Sequence, residues 1–338
     1  MSFNPHLWYL MGLSQSIATV KHLTLSTTST SATWSPQSII NSGVTLTWDV
    51  TGDITPTSQN VDDPTFDLSA NTGTVGMNVY DVGGLTTLNV GTKQITSLNV
   101  SDSLALISLY VQSNLLTSLN VLANTLLEIL YFWGNQLTAI DVSNNTSLKN
   151  LSCSSNLLTN LDLSNNLLLQ YLNCDSNTGI TSLNLSLNTD MIDLRCESCN
   201  ITSLTLSNNP NLTTLYCSNN LSLSTLDLTT LPSLWDLRIV NCDFTSIDVT
   251  ANLNLTYLSC ANNQIPSLDL SNNTNIKYVY CFGNNMTPSA TDQIYIDCAN
   301  GVGVNGSLII RNNRTSASDS ARATLVTRGW AFNESYTT

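Results

Sequence analysis

One unit of 21 residues recurs ten times between Leu85 and about Ser289, and this repetition constrains the fold more than any other property of the chain. The unit reads L-x-x-L-x-[C/V]-x-x-N-x-[L/I]-x-x-[L/I]-[D/N]-[L/V]-S-x-N-x-x. Its first apolar position falls at Leu85, Leu106, Leu127, Leu148, Leu169, Met191, Leu212, Leu234, Leu255 and Ile276, spaced by 21 residues except for 22 after Leu169 and Leu212. Self-similarity at this period predicts a solenoid, in which units too small to bury their own apolar faces stack and bury one another's. Such a stack offers a long flat or concave surface rather than a deep pocket.

Within each unit, L-x-x-L-x-C reads as a short strand whose fourth and sixth positions point inward with period two. The asparagine at position nine turns the chain, and a column of such amides satisfies backbone groups that face the interior. A second extended piece follows, as in Thr159-Asn160-Leu161-Asp162-Leu163, and then Ser-Asn-Asn forms the return corner. Six of the nine cysteines, Cys153, Cys174, Cys196, Cys217, Cys260 and Cys281, share position six, where other copies carry Val90, Val111, Phe132 and Ile239. A site that accepts Val, Ile, Phe or Cys is a buried apolar site, so these are expected as free thiols that pack like small hydrophobes. Cys199 and Cys242 stand where asparagine is usual. The Cys196-x-x-Cys199 spacing is accounted for by two separate columns, there is no second such pair, and the chain's histidines are His6 and His22, so no metal site is expected.

The pattern resembles the leucine-rich repeat of the short 21-residue type, with no room for more than about one turn of 3₁₀ helix in the second half of each unit. The ending, N-G-x-L at Asn305–Leu308 followed by A-x-x-x-L-x-x-R-G-W-x-F from Ala321 to Phe332, resembles the C-terminal cap of leucine-rich-repeat proteins from Bacteroidetes bacteria and their phages. The expected fold is mainly β: a tail or anchor over 1–22, a small β cap over 23–84, the solenoid over 85–289 and a mixed α/β cap over 290–338. In the first cap, Val44–Val50 and Met77–Val82 read as strands. In the second, Ile294–Ile296 and Gly301–Ile310 read as strand, Ala321–Val326 as a short helix and Arg328–Phe332 as a last strand.

Charged residues are only 10% of the chain, against about 25% on average, so Asn, Ser and Thr carry the polar surface. Net charge is −13, and four of the ten basic residues (Arg311, Arg314, Arg322 and Arg328) lie beyond the repeats. Without a basic stripe, nucleic acid and anionic membrane surfaces are not expected partners. No run of apolar residues is long enough to span a membrane. The N-terminal stretch lacks the basic start of a signal peptide, and Trp8, Tyr9 and Leu10 would form its hydrophobic plug if it anchors the chain to a partner. Nothing assembles a catalyst or a cofactor site. Asp141, Asp162, Asp227, Asp248 and Asp269 share one column, but each stands alone among Leu, Ser and Thr, short of the oxygen ligands calcium wants.

The informative residues are those the template leaves free. On the main strand, positions three, five and seven point outward and hold Tyr110, Tyr131, Trp133, Tyr171, Asp193, Arg195, Glu197, Tyr216, Asp236, Arg238, Tyr257, Tyr278, Tyr280 and Phe282. The other outward face carries Thr, Ser, Asn and Asp and no tyrosine. Tyrosine has high strand propensity and stacks on itself across strands, which is one reading of the column. A binding face is the other, and the absence of tyrosine from the second strand favours it. The expected function is non-enzymatic adhesion. The cap resemblance suggests a virion spike or fibre that recognises a host-surface glycan or protein, docks to other virion proteins through its tail and forms a homo-oligomer in the particle. The alternatives are a structural virion or scaffold protein and a secreted bacterial surface adhesin.

Overall fold

The computed structural model describes residues 22–31, 35–36, 38–41, 47–51, 57–60, 75–80 and 84–333. Trp8, Tyr9 and Leu10 lie outside these residues. The described residues open with β1 (His22–Thr27), β2 (Ser38–Asn41), β3 (Thr47–Thr51), β4 (Thr57–Asn60) and β5 (Val75–Tyr80). The first repeat contributes β6 (Leu85–Asn89) and β7 (Ile95–Asn99). Antiparallel pairing joins β4, β3, β5, β1 and β7 in that order, so the cap sheet ends on the far side of the first repeat. The remaining cap strand, β2, runs antiparallel along β6 and covers the edge of the main sheet. Both open edges of the first turn are thereby paired, which an unshielded terminal repeat requires.

The main sheet holds twelve parallel strands among the described residues. Ten come from the repeats, one each, beginning with β6 and Ser108–Tyr110 and ending with Tyr257–Ser259 and Tyr278–Tyr280. The other two, Ser307–Ile309 and Ala331–Phe332, belong to the C-terminal cap and continue the same sheet. The strands pair without slippage, so Leu130, Leu151, Leu172, Leu194 and Leu215 form one inward row. The cysteines of position six are fully buried beside that row. Burial raises the thiols of Cys153, Cys196, Cys217 and Cys281, and pushes Cys260 up to about 12, so they pack as neutral apolar groups. The second extended piece is less regular than its sequence suggests. Beyond β7, only Ser182–Asn184 and Ser203–Thr205 pair as strands there, and Thr159–Leu163 does not.

Asparagine at position nine works as a clamp between turns. Asn156 donates through Nδ2 to Phe132 O and Cys153 O, and its Oδ1 accepts from Leu137 N of the preceding repeat at 3.0 Å. The same amide-to-asparagine bond recurs at Ile95–Asn114, Leu116–Asn135, Leu158–Asn177, Ile201–Asn220, Phe244–Asn263 and Ile265–Asn284. Cys199 and Cys242 break the column, and each follows one of the two 22-residue repeats. The extra residue closes a tight turn in which Ile180 N bonds to Asn177 O and Leu223 N to Asn220 O, at 3.0 and 2.9 Å. With the amide satisfied inside its own repeat, the next repeat needs only a donor at position nine. A thiol suffices: Cys199 Sγ donates to Cys174 O and Cys242 Sγ to Cys217 O, both at 3.4 Å. Gly179 fits the first insertion because a Cβ there would lie 2.7 Å from Leu158 O.

A second asparagine column lines the return corner. Asn145 Nδ2 donates to Val121 O and Asn124 O, and Asn124, Asn166, Asn188, Asn209, Asn252 and Asn273 repeat that bond to the turn before. Their Oδ1 atoms meet no donor among the described residues, so this column is held by its N–H bonds alone.

The C-terminal cap departs from its expected form. Ile294–Ile296 is helical, inside α1 (Pro288–Asn300). Thr287 accepts from Ala290 N as the N-cap and Pro288 opens the first turn, two start signals that outweigh the local alternation. Ile294, Tyr295 and Cys298 then share a buried face at helical spacing. The expected helix is present as α2 (Asp319–Thr327). Trp330 Nε1 bonds to Gly303 O and its ring lies over Gly306, where a Cβ would come within 2.6 Å of it.

Candidate binding face

The outward positions of the parallel sheet carry two blocks of side chains. Tyr110 and Tyr131 meet edge to face at 5.3 Å, next to an exposed Trp133. Asn150 and Ser152 on the following strand separate this group from the rest. From Tyr171 onward the contacts are continuous across the strands. Arg195 lies over Tyr171 at 5.8 Å and over Tyr216 at 4.9 Å, and Arg238 lies over Tyr216 at 4.1 Å and over Tyr257 at 4.5 Å. Tyr257 then meets Tyr278 at 5.7 Å and Tyr280 at 5.3 Å. The parallel register causes this alternation, because Arg195, Tyr216 and Arg238 occupy one row on neighbouring strands about 4.8 Å apart.

Each arginine is fixed by the aspartate two residues earlier on its own strand. Arg195 bonds both oxygens of Asp193 at 3.0 Å, and Arg238 bonds those of Asp236 at 3.2 and 3.0 Å. Positions three and five project from the same side of a strand, so the fork reaches its carboxylate without leaving the row. Tyr216 donates its hydroxyl to Asp236 Oδ2 at 2.7 Å. Burial and then that carboxylate push the Tyr216 hydroxyl up to about 12.

Position seven adds an acidic pair on adjacent strands, Asp175 and Glu197. Asp175 Oδ1 accepts from Glu197 N at 2.6 Å. Burial, reinforced by the Glu197 charge against the pull of that bond, moves Asp175 up to about 6. Sequence reasoning singled out Glu197 but not Asp175, although the two share a column in adjacent repeats. It also missed Arg311, which comes from the cap and lies 4.7 Å from the Phe282 ring. The template that flags outward positions stops before the cap, so only the continued sheet reveals that residue.

The opposite face is uniform. Asp141, Asp162, Asp227, Asp248 and Asp269 each accept the backbone N–H two residues on, at 2.9–3.0 Å. The Ser or Thr two residues on, through side chain and backbone, holds these carboxylates below their usual range. They are turn locks, and among the described residues no three His, Cys, Asp or Glu side chains gather as a metal cage.

The architecture matches the functional domain of InlJ from Listeria monocytogenes, described as including a cysteine ladder. Identity is 30% over 75% of this chain and 51% of that one, with a TM-score of 0.63, so the chain spans about half the length of that domain. The chain is a leucine-rich-repeat protein. An internalin of Listeria monocytogenes (20% identity, 76% of this chain and 88% of that one, TM-score 0.56) shares the fold. So does a leucine-rich-repeat protein of Leptospira interrogans (18%, 74% and 72%, TM-score 0.59). No family model and no curated protein matches the sequence. The leucine-rich-repeat solenoid is typically a binding scaffold without enzymatic activity, and among the described residues no helix is long and apolar enough to cross a membrane.

Proposed function

We propose that this solenoid is a non-enzymatic adhesion module that recognises its partner through the tyrosine- and arginine-bearing sheet face and acts at a bacterial surface. The observation that carries the reading is the run from Tyr171 to Tyr280, in which two arginines are locked by their own aspartates between tyrosine rings. Interfaces are enriched in tyrosine, tryptophan and arginine, and the two aromatic residues supply contact area and hydrogen bonds at low entropic cost. Pre-organisation lowers that cost further. The opposite face has the same backbone rise and none of these residues, so the repeat does not impose them. Likeness to the Listeria monocytogenes domain supports a bacterial setting.

The test is binding of fluorescently labelled protein to a panel of Bacteroidetes and other cells, alongside a folded variant with Tyr257, Tyr278 and Tyr280 changed to Ala. Saturable binding that drops at least tenfold in the variant is the expected result. Binding that is equal in the two proteins, or absent from every cell type, would exclude the face as an adhesive surface.

A further inference from the structure

The kind of partner follows from what the sheet face leaves available, and the inference rests on reading that face as a binding surface. Arg195 and Arg238 are neutralised in place by two-bond pairing with Asp193 and Asp236, so they offer no spare charge to an anion. Tyr216 sits between Arg195 and Arg238 on neighbouring strands, which covers both faces of its ring. Tyr257 is enclosed in the same way, by Arg238 on one side and Tyr278 and Tyr280 on the other. A sugar stacks its C–H face on an open aromatic face. At the centre of this sheet the rings present edges, hydroxyls and the rims of guanidinium groups instead. Such a surface suits the mixed donors, acceptors and apolar edges of a protein.

The sign of that protein's charge follows from the rest of the row. Asp175 and Glu197 flank the run on adjacent strands and make no ion pair among the described residues, where the other two outward-facing aspartates of the run each hold an arginine. The whole chain carries −13. We propose that the partner is a protein with a basic docking surface, one lysine or arginine of which seats against Asp175 and Glu197 while its neighbours bond the edges of Tyr216 and Tyr257. Burial, and then the Glu197 charge, disfavours the ionised Asp175 carboxylate in the free molecule, and an incoming cation offsets that. The charged and titratable groups facing Asp175 are Asp193, Arg195 and Glu197 from the next strand and Tyr171 from its own, with Cys153, Cys196 and Cys199 beneath. Arg195 is already paired to Asp193, so none of these supplies a free cation.

The full chain is applied to two arrays, one of short peptides graded from acidic to basic and one of neutral, amino and acidic oligosaccharides. Retention on basic peptides is expected. It should weaken about tenfold or more in the Asp175→Asn/Glu197→Gln variant, fall as salt is raised and strengthen from pH 5 to pH 7.5 as Asp175 ionises. Both substitutions keep the size of the side chain and leave an oxygen to accept the Glu197 N–H, and a cooperative melt no lower than the parent's checks the fold. Retention on sugars alone would overturn the proposal and leave the binding face standing. Retention on acidic peptides, or basic binding unchanged in the double variant, would also overturn it. No retention on either array excludes the basic partner, while the whole-cell assay still decides whether the face binds at all.

Discussion

The link between the 22-residue repeats and the cysteines at position nine gives a quantitative prediction. In Asn156→Cys the thiol replaces a ladder asparagine in a repeat that follows a 21-residue neighbour. Phe132 O and Cys153 O keep Asn135 and Asn177 as donors, so the carbonyls are not orphaned. Leu137 N is different, because its one bond is to Asn156 Oδ1 and its residue is fully buried. An orphaned buried N–H costs about 1–3 kcal/mol, and exchanging an amide donor for a thiol adds about 0.5–1 kcal/mol. The variant should therefore lose about 1.5–4 kcal/mol by urea denaturation. Deleting Gly179 tests the converse. It restores 21-residue spacing, removes the turn that holds Ile180 N, and leaves Cys199 unable to accept from it. That deletion should cost a similar amount, and adding Cys199→Asn should recover most of the loss. The reasoning fails if Asn156→Cys unfolds within ~0.5 kcal/mol of the parent, the ordinary range for a harmless substitution, or if Cys199→Asn gives the deletion no rescue.

Two further outcomes are expected. Leu258→Asp places a carboxylate at a fully buried rung and should abolish the cooperative melting of the array, monitored by circular dichroism; a normal melt would show the inward register to be misread. Asp175, raised to about 6 from an ordinary value near 3.9, favours the folded state when protonated, so its contribution is complete below about pH 4 and lost as pH rises through 6. Asp175→Asn should thus melt above the parent at pH 7.5, with the gap closing towards pH 4.5; a constant gap in differential scanning fluorimetry would refute the assignment.

Much of the fold was legible because the period reports the stacking directly. A residue type that recurs every 21 positions marks one place in every turn, so Leu130, Leu151 and Leu172 could be assigned inward and Tyr110, Tyr131 and Trp133 outward from spacing alone. The helix of Pro288–Asn300 was missed because Ile294-Tyr295-Ile296 alternates locally, while its start signal, Thr287-Pro288, lies several residues earlier. The strand character of Thr159–Leu163 was over-read, since two inward leucines secure that segment without strand pairing.

By itself, then, the sequence determined the solenoid, its ten turns, its buried cysteine column and the face that carries the aromatic residues. These are properties of a single repeat, and periodicity copies them along the chain. Only the tertiary structure decided what passes between repeats: that Arg238 lies between Tyr216 and Tyr257, that Asp175 and Glu197 share a site, and that an extra residue at Gly179 frees Cys199 from being asparagine. Those pairings join residues about twenty positions apart, and they depend on a parallel register that no single repeat contains.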